Sequence, residues 1–201
     1  MTETAAPSTA DDPRLASKRI AVALTGGIAC YKIATLVSRM AQRGADVRVL
    51  MTEAAQRFIT PLTLQSLSGH TVLTSIWQSD DRPDSQHIGI ARWCEVLVIA
   101  PCSADMLAKL AHGHTPDVVS LVAAALPART PMLVAPAMNA DMWAHPVCQK
   151  NLDTLRQLLP NFHEVGPDSG WQACRTSGAG RMAEPEAILD AAAASLAWRA
   201  T

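Results

Sequence analysis

Residues Arg19 to Leu24 (RIAVAL) are apolar almost without interruption, and Thr25-Gly26-Gly27 breaks the run at once. A strand with no polar alternation is covered on both faces, the condition of a strand inside a parallel sheet. From Ile28 to Arg43 the apolar residues Ile33, Leu36, Val37 and Met40 recur at helical spacing, and Gly44 suits the C-terminal end of that helix. Asp46 to Thr52 (DVRVLMT) reads as a second strand. Strand, tight turn, helix and strand make a βαβ crossover, which commits the chain to parallel strands covered by helices.

The remaining segments keep to that plan. Thr60-Pro61 opens a short helix that Gly69 closes. Thr71 to Ser85 holds one short strand and then a polar loop over 78–84. His87 to Trp93 reads as a short helix. Glu95 to Ala100 (EVLVIA) is a buried strand ending in Pro101-Cys102-Ser103. Helices follow over Ala104–His112 and Asp117–Leu126. Met132 to Ala135 is a further strand, ending in Pro136-Ala137-Met138-Asn139. A helix from about Pro146 to Leu159, a short strand near His163 to Val165 and an Ala-rich helix from Glu186 to Trp198 complete the chain. The alternation predicts one α/β domain over residues 18–201: a doubly wound parallel sheet with helices on both faces. Residues 1–17 mix Thr, Ala, Pro and Asp without an apolar centre, and read as a disordered lead-in that is neither signal peptide nor anchor.

Composition narrows the function classes. A chain of 201 residues suits a single domain with a sizeable core. It is 49% hydrophobic and only 17% charged, which points to burial between subunits. A formal net charge of −1 without a basic run argues against nucleic-acid binding. No apolar run is long enough to span a membrane, so a cytoplasmic protein is expected. Five cysteines, an odd count with no Cys-x-x-Cys pair, support neither a disulfide framework nor a zinc site. Cys94 and Cys102 flank an apolar run and read as small buried hydrophobes.

Each strand ends in a small or polar cluster, and in a parallel sheet all these ends share one edge. Thr25-Gly26-Gly27 leads into a helix N-terminus, where free N–H groups form a phosphate seat. It also reads as an ordinary βα turn. No Gly-Lys-Ser/Thr follows, and Gly-x-Gly-x-x-Gly is absent, so a mononucleotide fits better than a dinucleotide. Thr52 and Ser103 offer hydroxyls to a phosphate, and Phe58, Ala104, Met106 and Ala137 offer walls to a flat ring. Asn139 reads either as a helix cap or as a polar group presented at a strand end. His87 reads from spacing alone as a surface or capping histidine. Residues 166–182 (GPDSGWQACRTSGAGRM) are glycine-rich and without periodicity, as in a mobile linker or a lid. Cys174 lies there in polar surroundings, and the charge of adjacent Arg175 favours its thiolate.

In this order and spacing, Gly26-Gly27-Ile28-Ala29, Thr52-Glu53-Ala54-Ala55 with Phe58, His87, Pro101-Cys102-Ser103-Ala104-Asp105, Pro136-Ala137-Met138-Asn139, and Gly166-Pro167-Asp168-Ser169-Gly170 leading to Cys174 and Gly180-Arg181-Met182 resemble the flavin-dependent cysteine decarboxylases. The similarity runs from about Lys18 to Ala192. It implies a flavodoxin-like fold, FMN as cofactor, and a trimer or trimer-based homo-oligomer with the flavin near the subunit interface. The matching branch acts on 4'-phosphopantothenoylcysteine in coenzyme A biosynthesis and yields 4'-phosphopantetheine. By position, His87 and Cys174 are then catalytic, Cys174 as the acid on a substrate-covering flap. Asn139 holds the substrate carboxylate, with Ala137, Met138, Arg181 and Met182 also at the substrate. Gly26, Gly27, Ile28, Thr52, Phe58, Ser103, Ala104, Asp105, Met106 and Ala137 contact the flavin. Two positions depart from the family's pattern: Arg175 stands where glycine usually follows the flap cysteine, and Asp105-Met106 where Asn-Thr is common. Relatives are often fused to the synthase that makes the substrate. This chain has no room for one, so a stand-alone enzyme or an excised domain is expected, with a separate phosphopantothenoylcysteine synthase as partner. Peptidyl-cysteine decarboxylases stop at the enethiol and need no flap cysteine. Flavin prenyltransferases share the fold class without Pro-Ala-Met-Asn or the flap. A phosphatase-regulating flavoprotein subunit and a flavodoxin-like electron carrier are the non-catalytic alternatives.

Overall fold

Strand β1 (Arg19–Leu24) pairs in parallel with β2 (Asp46–Met51) on one side and β3 (Val96–Cys102) on the other. β4 (Met132–Pro136) and β5 (Phe162–Glu164) extend the sheet beyond β3, giving the order β2-β1-β3-β4-β5. The computed structural model describes residues 14–78 and 86–198, so most of the expected lead-in and nearly all of the polar loop lie outside the described residues.

Alternation along the strands sorts two cores. Ile20, Val22 and Leu24 join Val96 and Val98 on one face, under α1 (Cys30–Gln42), α2 (Pro61–Ser68) and α8 (Pro185–Trp198). Ala21, Ala23, Leu97 and Ile99 face the other way, under α3 (Gln86–Trp93), α4 (Ala104–His112), α5 (Val118–Ala124) and α7 (Pro146–Leu158). Both sides being covered is why β1 and β3 carry no polar alternation. The helices begin and end where their chemistry directs. Thr60 and Ser103 accept backbone N–H bonds at the starts of α2 and α4, Asp117 and Ser120 form a capping box at α5, and Gly69 and Gly113 take left-handed closing positions.

Several details differ from expectation. Residues 14–17 form a turn rather than a loose lead-in, because Leu15 is fully buried in the α1 core and the Ser17 N–H reaches the Gly44 carbonyl at 2.8 Å. The expected strand after Thr71 is a single parallel bridge, Leu73 to Leu50. A short helix α6 (Ala140–Ala144) starts directly at Asn139. The stretch read as an aperiodic flap is an antiparallel hairpin of β6 (Asp168–Trp171) and β7 (Ser177–Arg181). Its glycines carry no side chains to alternate, so strand periodicity had nothing to register. No helix among the described residues is long and apolar enough to cross a membrane, and no group of three or more potential metal ligands occurs among them.

Helix α8 is tied back to α1 by Glu186, which meets Arg39 Nη1 and Arg43 Nη2 at 2.6 Å each. The Arg43 guanidinium, with a smaller effect from Arg39, holds the Glu186 carboxyl below its ordinary value of 4.5. A carboxyl whose pKa is lower in the folded chain stabilises the fold above the unfolded value, and that contribution is lost as pH falls through the folded value. Glu186→Gln is therefore expected to unfold more easily than wild type at pH 7. The difference should be below about 1 kcal/mol, since solvent screens the pair, and should shrink on acidification below about pH 4.5. Urea unfolding at pH 7 and pH 4 measures it; a gap that does not depend on pH would contradict the assignment.

Candidate active site

The strand order reverses between β1 and β3, so the loops leaving their carboxyl ends part and leave a crevice. Thr25, 2% exposed, pins the two loops together. Its N–H and hydroxyl both donate to the Pro101 carbonyl, at 3.2 and 2.7 Å, and its Oγ1 accepts from the Ser103 N–H at 2.9 Å. Gly26 is a packing requirement: a Cβ there would stand 2.6 Å from the Ala54 Cβ. At Gly27 the nearest atom to such a Cβ is Pro101 Cγ at 4.0 Å, so the backbone there is open to close approach. Helix α1 then begins with no side-chain cap at Ala29. The N–H groups of Cys30, Tyr31 and Lys32 turn back to the Gly27, Ile28 and Ala29 carbonyls at 3.1, 3.4 and 3.0 Å, so what the start of α1 offers an anion is the backbone of the Gly26–Ala29 turn before it.

A cleft of about 560 Å³ opens beside this turn. Gly26 to Ala29, Tyr31 and Lys32 form one wall, Ser103 and Ala104 the floor, and Ala137 to Asn139 with Met142 the second wall. The hairpin closes it with Trp171 to Cys174 and Gly180 to Met182. Gly26, Gly27, Ile28, Ser103, Ala104, Ala137, Met138, Asn139, Cys174, Arg181 and Met182 are thus brought together as expected. Other expected site residues lie off this wall. Thr52 is buried, and its Oγ1 accepts from the Ala55 N–H at 3.2 Å. Phe58 is half-exposed after the short 3₁₀ turn Ala55–Arg57. Met106 is sealed in the core beneath α4, and Asp105 turns outward to Lys109 at 2.6 Å. His87 is the second residue of α3, a helix that leads into β3 and so starts at the carboxyl edge of the sheet, but it does not line the cleft.

The hairpin is docked by fit as well as by bonds. A Cβ on Gly178 would lie 2.7 Å from the Ala140 Cβ, and one on Gly180 would lie 2.5 Å from the Met138 carbonyl oxygen. Buried Gln172 is the latch. Its amide Nε2 donates to the Ala179 and Met138 carbonyls at 3.1 and 3.4 Å, and its Oε1 accepts from the Ala140 N–H at 3.0 Å. Both readings of Asn139 hold together. Oδ1 caps α6 by accepting from the Asp141 N–H at 2.8 Å and the Met142 N–H at 3.4 Å, and this aims Nδ2 at Cys174 Sγ, 3.2 Å away.

Cys174 is exposed, while Cys30, Cys94, Cys102 and Cys148 are buried. Burial raises the thiol of Cys30 to about 11 and pushes Cys102 and Cys148 up as well. The Cys174 thiol moves the other way. Its lowering comes first from the Thr176 hydroxyl and then from the Asn139 amide, not from the charge of Arg175 as expected. Arg175 instead takes the left-handed conformation, φ +64, that closes the loop. Sequence reasoning passed over Lys32 and Gln172. Lys32 lies one helical turn from Ile28, at the edge of the stripe of Ile33, Leu36 and Val37, and that spacing was available to find it. Its Nζ reaches Glu184 at 2.9 Å, and Arg181 Nη2 reaches the same carboxylate at 3.2 Å. Gln172 had no signal short of the hairpin itself.

An open α/β sheet with a mostly apolar cleft at its order switch, entered by an uncapped helix start, defines a binder of a flat, anionic cofactor. The chain belongs to the Flavoprotein family, whose model matches residues 9–197, and a flavin is its cofactor class. It is 46% identical over 182 residues to the coenzyme A biosynthesis bifunctional protein CoaBC of Escherichia coli (strain K12), covering 90% of this chain and 43% of that one. The chain therefore spans less than half the length of that relative. It is 40% identical over 173 residues to a probable phosphopantothenoylcysteine decarboxylase of Streptococcus mutans, covering 86% of this chain and 96% of the relative. A cysteine-to-serine mutant of PPC decarboxylase complexed with pantothenoylaminoethenethiol superposes with a TM-score of 0.76 at 31% identity, covering 90% of this chain and 98% of that one. The parallel five-stranded sheet is the flavodoxin-like fold of these neighbours.

The hairpin's docking has a direct test. Gly180→Ala meets both the Met138 oxygen and a φ of +125, which alanine disfavours. The Met138 N–H, bonded to the Gly180 carbonyl at 2.9 Å, is expected to exchange at least about tenfold faster by hydrogen–deuterium exchange. Unchanged protection at Met138 would show that the glycine is not what holds the hairpin down.

Proposed function

We propose that this chain decarboxylates 4'-phosphopantothenoylcysteine to 4'-phosphopantetheine with FMN, as a step of coenzyme A biosynthesis. The observation that carries this reading is the Asn139 Nδ2 to Cys174 Sγ contact of 3.2 Å at the mouth of a flavin-family cleft. It brings together a donor for a carboxylate and an acid for a carbon. The names of the relatives, and an aminoethenethiol bound by the PPC decarboxylase mutant, support the same substrate class.

The cleft fits FMN on this chain's own residues. The uncapped start of α1 and the open Gly27 suit the phosphate, and Ile28, Ala104, Ala137 and Met138 offer small or apolar walls to the ring. Loss of CO₂ from an N-acyl cysteine leaves an electron pair with no acceptor. The chemistry FMN supplies when bound is reversible two-electron oxidation of the cysteinyl Cβ–S unit, so that a thioaldehyde stands β to the departing carboxylate and the enethiol is later reduced. The protein does the rest. Asn139, its amide fixed by the α6 cap, orients the carboxylate. The Gln172-latched hairpin excludes water. Cys174 donates its proton to the enethiol carbon that lost CO₂. Ile28, Tyr31, Met142 and Trp171 line the cleft and are all at least half-exposed, an apolar rim suited to cover by a second copy of the chain. A homo-oligomer, a trimer or trimer-based assembly, would cover that rim and bring His87 in from a neighbouring subunit to assist proton transfer. A phosphopantothenoylcysteine synthase, fused or separate, would supply the substrate, and the cytoplasm is the compartment this chemistry suits.

Two variants separate the roles. Cys174→Ser is expected to release CO₂ but accumulate the enethiol, followed by trapped CO₂ and mass spectrometry of the product; a normal yield of 4'-phosphopantetheine would remove Cys174 as the acid. Asn139→Asp keeps an acceptor for the α6 cap but replaces the N–H donor with a charge. CO₂ release should fall about a hundredfold, the scale of losing a preorganised donor, with the melting temperature little changed. Undiminished turnover by Asn139→Asp would sink the carboxylate assignment.

A further inference from the structure

The Cys174 sulfur has three side-chain neighbours, and they differ in what they can do. Asn139 Nδ2, 3.2 Å away, is an amide nitrogen and can only donate. Gln172 Oε1, 3.6 Å away, can only accept and already takes the Ala140 N–H at 3.0 Å. Gln172 cannot turn over, because its Nε2 is engaged by the Ala179 and Met138 carbonyls. Thr176 Oγ1 is the nearest at 3.0 Å, and a hydroxyl both donates and accepts. The loop puts it there: the Gln172 N–H reaches the Thr176 carbonyl at 2.8 Å, and the left-handed Arg175 turns the chain back, bringing residue 176 beside residue 174.

We propose that Thr176 is a positioning residue for the flap acid, a hydroxyl rotor that accepts from the Cys174 thiol before proton transfer and donates to the thiolate after it. The proposal rests on Cys174 being the acid of the reaction above. In that step the S–H bond breaks and a C–H bond forms from the π pair of the enethiol. The sulfur keeps its own electron pair as thiolate, and the proton is replaced from solvent at this exposed site. Without the Thr176 hydroxyl the thiolate would have the Asn139 amide as its one side-chain donor, beside weaker help from the backbone of Thr176 and Cys174; rotation of the Thr176 O–H adds the nearest donor without moving a heavy atom. The ionisable side chains on the surrounding elements are Asp168, Arg175 and Arg181 on the hairpin, Asp141 on α6, and Tyr31 and Lys32 on the α1 wall of the cleft, and none of these is among the side chains that hydrogen-bond the sulfur. The direction of the thiol's shift, with Thr176 as its first cause, agrees.

The test reads Cys174 without turnover. Alkylation of the flavin-loaded chain by iodoacetamide, a neutral reagent, is followed from pH 6 to pH 10 by mass spectrometry of the Cys174 peptide. In Thr176→Val the apparent thiol pKa is expected to rise, and the rate at pH 7 to fall about tenfold. Thr176→Ser, which keeps the hydroxyl, is expected to stay within about twofold of wild type. A looser hairpin would speed access at every pH without moving the midpoint, so the two effects are distinguishable. A Thr176→Val profile that overlays wild type, or a Thr176→Ser profile that follows the valine variant, would overturn the proposal. Failure of wild-type chain to release CO₂ from 4'-phosphopantothenoylcysteine would count against the function and leave the alkylation result standing.

Discussion

Every group in the cleft depends on β1 lying between β2 and β3. That order sends the connections after β1 and β3 to opposite faces, so α1 and α4 leave the sheet edge in different directions and cannot close over the gap between them. A sheet wound one way only would have no gap at that point. The gap is held at fixed width by a buried threonine. Thr25 offers a backbone N–H and a hydroxyl to Pro101 and takes the Ser103 N–H in return. These are polar groups in a place water does not reach, where an unmet partner costs about 1–3 kcal/mol. The first turn of the βαβ unit and the start of α4 are thereby one object, and the cleft inherits its rigidity.

What the sequence made legible follows from the same physics. Continuous apolar strands, helical spacing in α1 and the Thr60-Pro61 helix start report local and burial constraints, and these appeared where expected. The strand-end clusters were legible because parallel pairing forces them to one edge. The hairpin was not, because glycine-rich strands show no side-chain alternation and are defined by what they dock onto. Met106 was expected at the ring and its side chain lies in the core, since an apolar residue in a first helical turn faces inward or outward according to a phase that sequence spacing leaves open by one residue. Thr52 Oγ1 serves the backbone of the next turn, a use of a strand-end hydroxyl that spacing does not reveal. His87 reaches the right edge of the sheet without reaching the cleft, and only a neighbouring chain, invisible to spacing, would change that.

Asn139 shows how a bland role and a chemical one reinforce each other. A carboxamide is planar, so fixing one end fixes the other. Two N–H groups of α6 hold Oδ1, and the donor end must then face the hairpin. A helix of only five residues, α6 Ala140–Ala144, contributes little by itself. Its value here is as a two-pronged clamp on one amide. Pro136 ends the strand at the point where this turn begins, and small Ala137 and Ala140 leave room for the cleft and for Gly178 of the hairpin.

Arg175, like Ser17, departs from local backbone preference. A non-glycine residue in the left-handed region costs about 1–2 kcal/mol, and glycine would take it without strain. The cost is tolerable because the loop is held from both sides, by the Gln172 latch and by the Gly180 contact with Met138. The charge so close to Cys174 does not govern its thiol. A solvent-exposed guanidinium acts through water, where a charge pair at contact is worth only about 1 kcal/mol. Hydrogen bonds from Thr176 and Asn139 act directly on the sulfur. One of these comes from the hairpin itself and the other from the loop it docks against. The full lowering of the thiol therefore needs the hairpin's own hydroxyl together with its docking against Asn139. Thiol acidity and the docking of the hairpin beside the cleft are in this way set by the same contacts.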